Sequence, residues 1–163
     1  MQLSSQERDQ RIQQYASAPD RLHAVLAEVP DAAMRWRPRA GEFSVHEIVV
    51  HCADSETNAA ARIRYLMAEE QPVILGYDPD NWAARFAYES HPLEAALATI
   101  EAVRANTAPI IRNLPADAWD KTGTHSESGT YSGHDWLRIY SDHLEEHIAQ
   151  IRANVTAWRA ANG

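Results

Sequence analysis

The chain has 163 residues, of which 45% are hydrophobic and 23% are charged, an ordinary composition for one globular domain. Its 15 lysines and arginines against 23 aspartates and glutamates give a net charge of -8 without a basic cluster, which argues against nucleic acid or anionic membranes as partners. No apolar run can span a bilayer, no secretory signal begins the chain and the one cysteine cannot form an internal disulfide, so we expect a single cytoplasmic domain over residues 1–163.

The first predicted helix begins at a capping box. Ser4–Glu7 has the required serine and glutamate, and apolar residues at helical spacing continue from it to Val29. Pro19 lies inside this stretch. Because proline costs about 3 kcal/mol inside a helix, we predict a break or kink near Ser17–Pro19.

A second helix is predicted from the capping box Ser44–Glu47 to about Glu69. His51 lies in its second turn, at the margin of the apolar arc. Cys52 lies near the centre of that arc, which favours a small core side chain over a reactive thiol. His46 is turned away from the arc in the first turn, so we expect it to be exposed.

A long connection follows at residues 70–90, with an N-cap and a proline at Asp78–Pro79 that begin a short helix. The third long helix is predicted from Leu93 to Leu114 by apolar residues at helical spacing. Residues 120–133 are rich in glycine, serine and threonine, which is typical of a loop.

The last predicted helix, Ser132–Trp158, has one broad apolar arc that also carries two histidines. His143 and His147 are one turn apart, and a pair at this spacing can hold one metal ion. With 8 histidines in the chain, chance alone predicts about 0.4 such pairs, so the spacing decides little. The alternative is a pair of core histidines that hydrogen-bond within the protein.

Four long helical segments without a convincing strand predict an all-α four-helix bundle. The long connection between the second and third of these helices permits a non-sequential arrangement. Metal sites in bundles are built from facing helices, and His51 is the candidate for a third ligand.

Two sequence signatures resemble those of the DinB-like metal-binding bundles, which include YfiT-type metal-dependent hydrolases and bacterial thiol S-transferases. The first covers Trp36–Pro38 and Gly41–Glu56, and the last covers Asp142–Ile151. Gly76–Asp78 and Trp82 resemble the middle segment of the family. Phe43 is a departure, because the family usually has tryptophan there.

The resemblance implies an up-down-down-up bundle, commonly a homodimer, with His51, His143 and His147 as a three-histidine metal site. Three neutral imidazoles leave a divalent ion its full charge and at least one open position, which is typical of a catalytic site. We expect zinc or nickel, although imidazole also suits iron. The implied function is a thiol S-transferase or hydrolase that acts on a small electrophilic molecule, with a low-molecular-weight thiol as a possible substrate.

Asp54 and Glu47 are the candidates for a catalytic base or for supporting a ligand, because they lie about one turn after and one turn before His51. The alternative for Glu47 is a helix cap. The alternative for Asp54 is an ion pair with Arg62 or Arg64. Tyr88 could line a pocket, but packing with its hydroxyl at the surface is the more ordinary role.

Two other functional classes stay open at this point. One is a stress-linked metal-binding or interaction protein without catalysis. The other is a structural bundle in which the two histidines are ordinary core residues. Fold and metal site alone do not name a substrate.

Overall fold

The computed structural model describes residues 2–163, which are mainly helical. The helices are α1 (Ser5–Leu26), α2 (Val45–Ala68), α3 (Pro79–Arg85), α4 (Leu93–Arg112) and α5 (Gly133–Asn162). The short strands are β1 (Val73–Ile74), β2 (Thr122–His125) and β3 (Gly129–Ser132). The prediction of an all-α fold is confirmed, with this small sheet as a minor addition. None of the helices within residues 2–163 is both long and apolar enough to cross a membrane.

Serine capping boxes begin the three longest helices. Ser4, Ser44 and Ser132 each accept a hydrogen bond from the backbone N–H three residues later, and the acidic side chain there bonds back to the serine N–H. These bonds satisfy helical N–H groups that have no intrahelical partner. The cap at Ser44 therefore fixes the first turn of α2, immediately before the turn that carries His51.

The first and last helices of the chain run parallel to each other. Arg11 pairs with Asp142, and further along both helices Arg21 pairs with Glu145. From the first pair to the second, the contacts move towards the C-terminus of both α1 and α5. The N-terminal and C-terminal helices are thus neighbours in the bundle.

The second helix runs antiparallel to the last. Ser55 contacts His143, whereas Arg62, which is later on α2, contacts Tyr140, which is earlier on α5. This antiparallel pair brings the His51 segment beside the histidines of α5.

The α4 helix packs against both α2 and α1. His46 at the start of α2 contacts the His91 carbonyl just before α4, and Arg64 near the end of α2 contacts Asn106. The contacts advance together, so α2 and α4 are parallel. With α1 and α5 pointing the other way, the predicted up-down-down-up order is confirmed.

The small sheet joins the two long connections of the chain. β1 pairs in parallel with β2, and β2 forms an antiparallel hairpin with β3. Gly123 is required at the junction, because a Cβ there would lie 2.6 Å from the Pro72 carbonyl oxygen. The prediction that residues 120–133 form only a loop is wrong, since backbone pairing with the 70–90 connection is not visible in local composition.

Arg104 of α4 is fully buried and bonds to all three other long helices. Its guanidinium donates to the carboxylate of Glu56 on α2, and both side chains are completely shielded from solvent. It also donates to the Tyr15 carbonyl of α1 at 2.7 Å and the Tyr140 carbonyl of α5 at 3.0 Å. Burial raises the pKa of the Glu56 carboxyl, and the adjacent guanidinium opposes that rise.

Of the break or kink predicted near Ser17–Pro19, the break does not occur, because α1 continues through Pro19 to Leu26. Proline has no N–H and therefore leaves the carbonyl four residues earlier, that of Tyr15, without its helical donor. Arg104 donates to that carbonyl. A residue distant in sequence thus replaces the hydrogen bond that proline removes.

His46 was expected to be exposed, and this expectation is wrong. The side chain is only 2% exposed, and its Nε2 lies 2.9 Å from the His91 carbonyl oxygen. The chain before α4 covers the first turn of α2 on the side that faces away from the main apolar arc. Burial is the main cause that lowers the pKa of His46.

The buried ion pair generates a stability prediction. Arg104→Met leaves the Glu56 carboxylate buried without its cation, and we expect the free energy of unfolding to fall by about 3–5 kcal/mol. The double variant with Glu56→Met removes both charges and should recover much of this loss. Urea denaturation followed by circular dichroism measures both.

The matched control is Arg39→Met, because Arg39 is 83% exposed and lies 3.9 Å from Glu42. An exposed pair of this kind contributes about 0–1 kcal/mol, so the control should resemble the wild type. Equal stability of the Arg104→Met variant and the control would contradict the structural role given to Arg104.

Candidate metal centre

Three histidines from two helices meet in the interior of the bundle. His51 comes from the second turn of α2, and His143 and His147 come from successive turns of α5. Each ring offers one nitrogen, and these three nitrogens lie within 4.8 Å of one another. The antiparallel packing of α2 and α5 therefore brings together the three residues that the sequence singled out.

The spacing of the ring nitrogens suits a small divalent ion. Nε2 of His143 and Nε2 of His147 are 3.2 Å apart. Two nitrogens that each lie about 2.0–2.1 Å from one tetrahedral ion are about 3.3–3.4 Å apart. Little movement is needed to bring these two nitrogens to coordination distance.

The environment keeps the imidazoles neutral, as metal ligands must be. Burial, followed by the neighbouring His147, lowers the pKa of His51 to about 4. Burial, followed by the two other histidines, lowers the pKa of His143 to about 2. Burial also lowers the pKa of His147. Near neutral pH the three rings hold lone pairs and no net charge.

The three rings differ in their hydrogen bonds. His147 Nδ1 lies 2.8 Å from the Gln150 side-chain oxygen. His143 Nε2 lies 3.3 Å from the Ser55 hydroxyl, while the buried Nδ1 atoms of His51 and His143 have no partner within residues 2–163. Burying an unpaired polar atom costs about 1–3 kcal/mol, which disfavours a role for these rings as core packing alone.

Asp54 bonds to a tyrosine and not to Arg62 or Arg64, the two arginines considered for an ion pair. Its carboxylate accepts a hydrogen bond from the Tyr88 hydroxyl, whereas Arg62 donates to Tyr140 and to the Leu75 carbonyl. The expectation of a Tyr88 hydroxyl at the surface is wrong, because this side chain is buried. Burial is the main cause that raises the pKa of Tyr88, and the Asp54 bond adds to it.

Glu47 is buried and its carboxylate is occupied. It accepts hydrogen bonds from the backbone N–H and the hydroxyl of Ser44, and it pairs with the guanidinium of Arg37. These contacts hold the first turn of α2 in place, and His51 follows one turn later. The helix-cap alternative for Glu47 is confirmed by this geometry.

A cavity of about 380 Å³ lies beside the first turn of α2, and Phe43 and Glu47 are among the residues that line it. None of the three histidines lines this cavity. The Phe43 ring lies 5.9 Å from the ring of His51 and 6.4 Å from that of Tyr88. Phe43 therefore lines the cavity and also lies near His51 and Tyr88.

Sequence reasoning did not single out Ser55 or Gln150, although helical spacing could have found them. Ser55 is one turn after His51, and Gln150 is three residues after His147, so each shares a helix face with a candidate ligand. Tyr77, which lies beside Ser55 and stacks on Trp82 at 4.4 Å, comes from the long connection and has no such signal.

The lowered pKa values predict how stability depends on pH when chelator keeps the protein metal-free. Unfolded histidines protonate near pH 6.5, whereas His51 and His143 stay neutral in the folded chain down to about 4 and about 2. The stabilisation is therefore fully present above pH 6.5 and is lost as the pH falls towards those values. Each such histidine contributes a slope of about 1.4 kcal/mol per pH unit.

Denaturation of the wild type and of His143→Leu between pH 7 and about pH 4.5 measures this slope. We expect the variant to lose stability less steeply with falling pH, because one buried neutral imidazole has been removed. Identical slopes would contradict the assignment of a lowered pKa to His143.

Proteins similar to this chain include several bacterial ones. One from Oceanobacillus iheyensis, named "putative metal-dependent hydrolase", is 31% identical over 140 residues, which cover 86% of this chain and 81% of that protein. One from Bacillus licheniformis with the same description is 27% identical over 158 residues, which cover 94% of this chain and 88% of that protein.

Two solved structures share the fold. YfiT from Bacillus subtilis, described as a probable metal-dependent hydrolase with an unusual four-helix bundle topology, has a TM-score of 0.87 at 23% identity and covers 94% of this chain and 88% of its own. A variant of a mycothiol-dependent maleylpyruvate isomerase has a TM-score of 0.69 at 14% identity, covering 88% of this chain and 60% of its own.

The sequence signatures and the helix order agree with a family assignment that covers most of the chain. The family model of the DinB superfamily matches residues 14–151, which is most of the sequence. Together with the relative that is 31% identical, this match shows that the chain belongs to the DinB superfamily.

Proposed function

We propose that this chain is a metal-dependent enzyme that transfers a thiol to, or hydrolyses, a small electrophilic molecule. The proposed ligands are His51, His143 and His147. The observation that carries the proposal is the convergence of three neutral imidazoles in a group that includes no carboxylate and no cysteine. A site of this composition leaves the charge of a divalent ion unneutralised and at least one coordination position open, which is typical of catalytic sites.

A divalent ion held there would supply Lewis-acid chemistry, which polarises a carbonyl or lowers the pKa of a thiol or of water. Imidazole ligands suit zinc and nickel, which we propose as the candidate ions. The residues of the chain would bind the ion without proton competition at neutral pH, because the pKa values of the three histidines are lowered. They would also shield it from bulk water.

Proton transfer needs a group beside the ligands, and we assign this role to Asp54. It lies one turn after His51 and is only partly buried, so its carboxylate can exchange protons with solvent. The Tyr88 hydroxyl holds it in one orientation. Glu47 has a supporting role in this proposal, because its bonds to Ser44 and Arg37 fix the turn that precedes His51.

The comparisons support both the metal-dependent chemistry and the thiol substrate of the proposed reaction. The relatives named as metal-dependent hydrolases support metal-dependent chemistry at the histidine cluster. The mycothiol-dependent isomerase shares the fold, which supports a low-molecular-weight thiol as one substrate. The electrophile is not named by either comparison, and fold alone does not define it.

The second candidate function is a metal-binding protein without catalysis. The lining of the cavity of about 380 Å³ favours it, because that cavity includes Phe43 and none of the three histidines. A substrate confined to that cavity would not touch the candidate ligands. The two candidates agree on metal binding and differ in turnover.

Metal content tests what the two candidates share. Protein without an affinity tag, saturated with zinc or nickel and then desalted, should hold about one ion per chain by elemental analysis. His143→Ala should hold less than about a tenth of an ion, since two imidazoles bind weakly. His23→Ala is the control, because His23 is exposed on α1 and should leave the metal content unchanged. A wild-type chain without metal would overturn both candidates.

Turnover separates the two candidates. The metal-loaded wild type should conjugate a low-molecular-weight thiol to members of an electrophile panel, or hydrolyse activated esters or amides. Asp54→Asn should lower kcat by about 10²–10⁴-fold and keep its metal, because a carboxamide cannot accept the proton. Asp9→Asn, an exposed change on α1, should keep full activity. Full metal occupancy without turnover on either panel would favour the non-catalytic function.

A further inference from the structure

The three candidate ligands are held in unequal ways. His147 Nδ1 has a side-chain partner, the oxygen of Gln150 at 2.8 Å. The Nδ1 atoms of His51 and His143 have none within residues 2–163. His147 is thus the one of the three whose Nδ1, the ring nitrogen turned away from its neighbour in the cluster, has a side-chain partner, whereas the Ser55 hydroxyl lies 3.3 Å from Nε2 of His143.

The contact determines which nitrogen of His147 carries the proton. A neutral imidazole has one N–H donor and one acceptor nitrogen, and the amide oxygen of Gln150 can only accept. Nδ1 must therefore carry the hydrogen, which leaves the lone pair on Nε2. That nitrogen faces the cluster, 3.2 Å from Nε2 of His143.

The opposite orientation of the Gln150 amide has the opposite consequence. If the NH₂ group faced Nδ1, it would donate, and the hydrogen of His147 would lie on Nε2 in the centre of the cluster. The ring would then have no lone pair for an ion. The role of Gln150 can therefore be tested by measuring which nitrogen of His147 is protonated.

The geometry of α5 places the side chains of His147 and Gln150 next to each other. Gln150 is three residues after His147 on α5, so both side chains lie on the same face of the 30-residue helix. Gln150 is half-buried, and its amide needs no backbone movement to reach the ring.

We propose that Gln150 is a positioning residue, which holds His147 in the tautomer that presents Nε2 to the metal site. This inference rests on the proposed metal-binding function and extends it to a residue that does not touch the ion. Outer partners of this kind orient a ligand and raise its basicity, and their loss typically weakens metal binding about 10–100-fold. Gln150 therefore sets the affinity of the site.

Three variants test the proposal through zinc and cobalt(II) affinity, measured by competition with a chromophoric chelator. Gln150→Leu keeps the size of the side chain and removes the acceptor, and it should raise the Kd about 10–100-fold. Gln150→Glu can only accept from the neutral ring, so it should bind as tightly as the wild type or more tightly. Gln13→Leu, the same exchange at an exposed position of α1, should bind like the wild type.

A second measurement needs no metal. In a long-range ¹H–¹⁵N spectrum of the metal-free wild type near pH 7.5, about one unit above the ordinary histidine pKa, His147 should show a protonated Nδ1 and an unprotonated Nε2. Gln150→Leu should lose this preference. Protonated Nε2 in the wild type, or wild-type affinity in Gln150→Leu, would overturn the role of Gln150.

The outcomes of these measurements distinguish a failure of the Gln150 proposal from a failure of the proposed metal-binding function. A wild type that binds none of zinc, nickel and cobalt(II) overturns the metal site, whereas the tautomer of His147 is still measured. A wild type that binds well together with an unaffected Gln150→Leu overturns only the role of Gln150. Circular dichroism of each variant confirms that the helices are intact.

Discussion

The buried guanidinium of Arg104 is the interaction on which the bundle depends most directly. It is the one described group that hydrogen-bonds to α1, α2 and α5 while belonging to α4. The carbonyl that it uses on α1 is the one that Pro19 leaves without a helical donor. A buried arginine without acceptors and a proline that leaves a helical carbonyl without a donor would each cost free energy of folding. Here the guanidinium of Arg104 donates to the carbonyl that Pro19 leaves without a donor.

The same guanidinium links the core to the histidine cluster. Arg104 donates to the carbonyl of Tyr140, which is three residues before His143 on α5. Its positive charge also contributes, after burial and the other histidines, to the lowered pKa of His143. The network that aligns the helices therefore also favours neutral rings at the site. The charge of Arg104 therefore contributes both to the packing of the helices and to the neutral state of His143.

Features that follow from local pattern could be predicted from the sequence. The capping boxes at Ser4, Ser44 and Ser132 and the apolar arcs of the long helices depend on residues within a few turns, so they locate the helices well. His143 and His147 share a helix face for the same reason. His51 was a candidate because bundles build metal sites from facing helices, and the family resemblance added to that, since spacing within one helix says nothing about another.

Features that depend on distant residues could not be predicted. The continuity of α1 through Pro19 requires Arg104, which is 89 residues from Tyr15. The burial of His46 requires the His91 segment, and the partner of Asp54 comes from Tyr88 in the long connection. In each case the deciding contact is made by a residue that helical periodicity does not bring near.

The pairing of the first helix with the last has a consequence for synthesis on the ribosome. Arg21 and Glu145, which join α1 to α5, are 124 residues apart, and Ser55 and His143 are 88 residues apart. The nascent chain can pack α4 against α1 and α2, but both of these helices lack their α5 neighbour until the C-terminal segment has emerged. Folding that waits for the end of translation exposes apolar surface meanwhile. A truncated product that lacks α5 would have neither a closed core nor a complete histidine cluster.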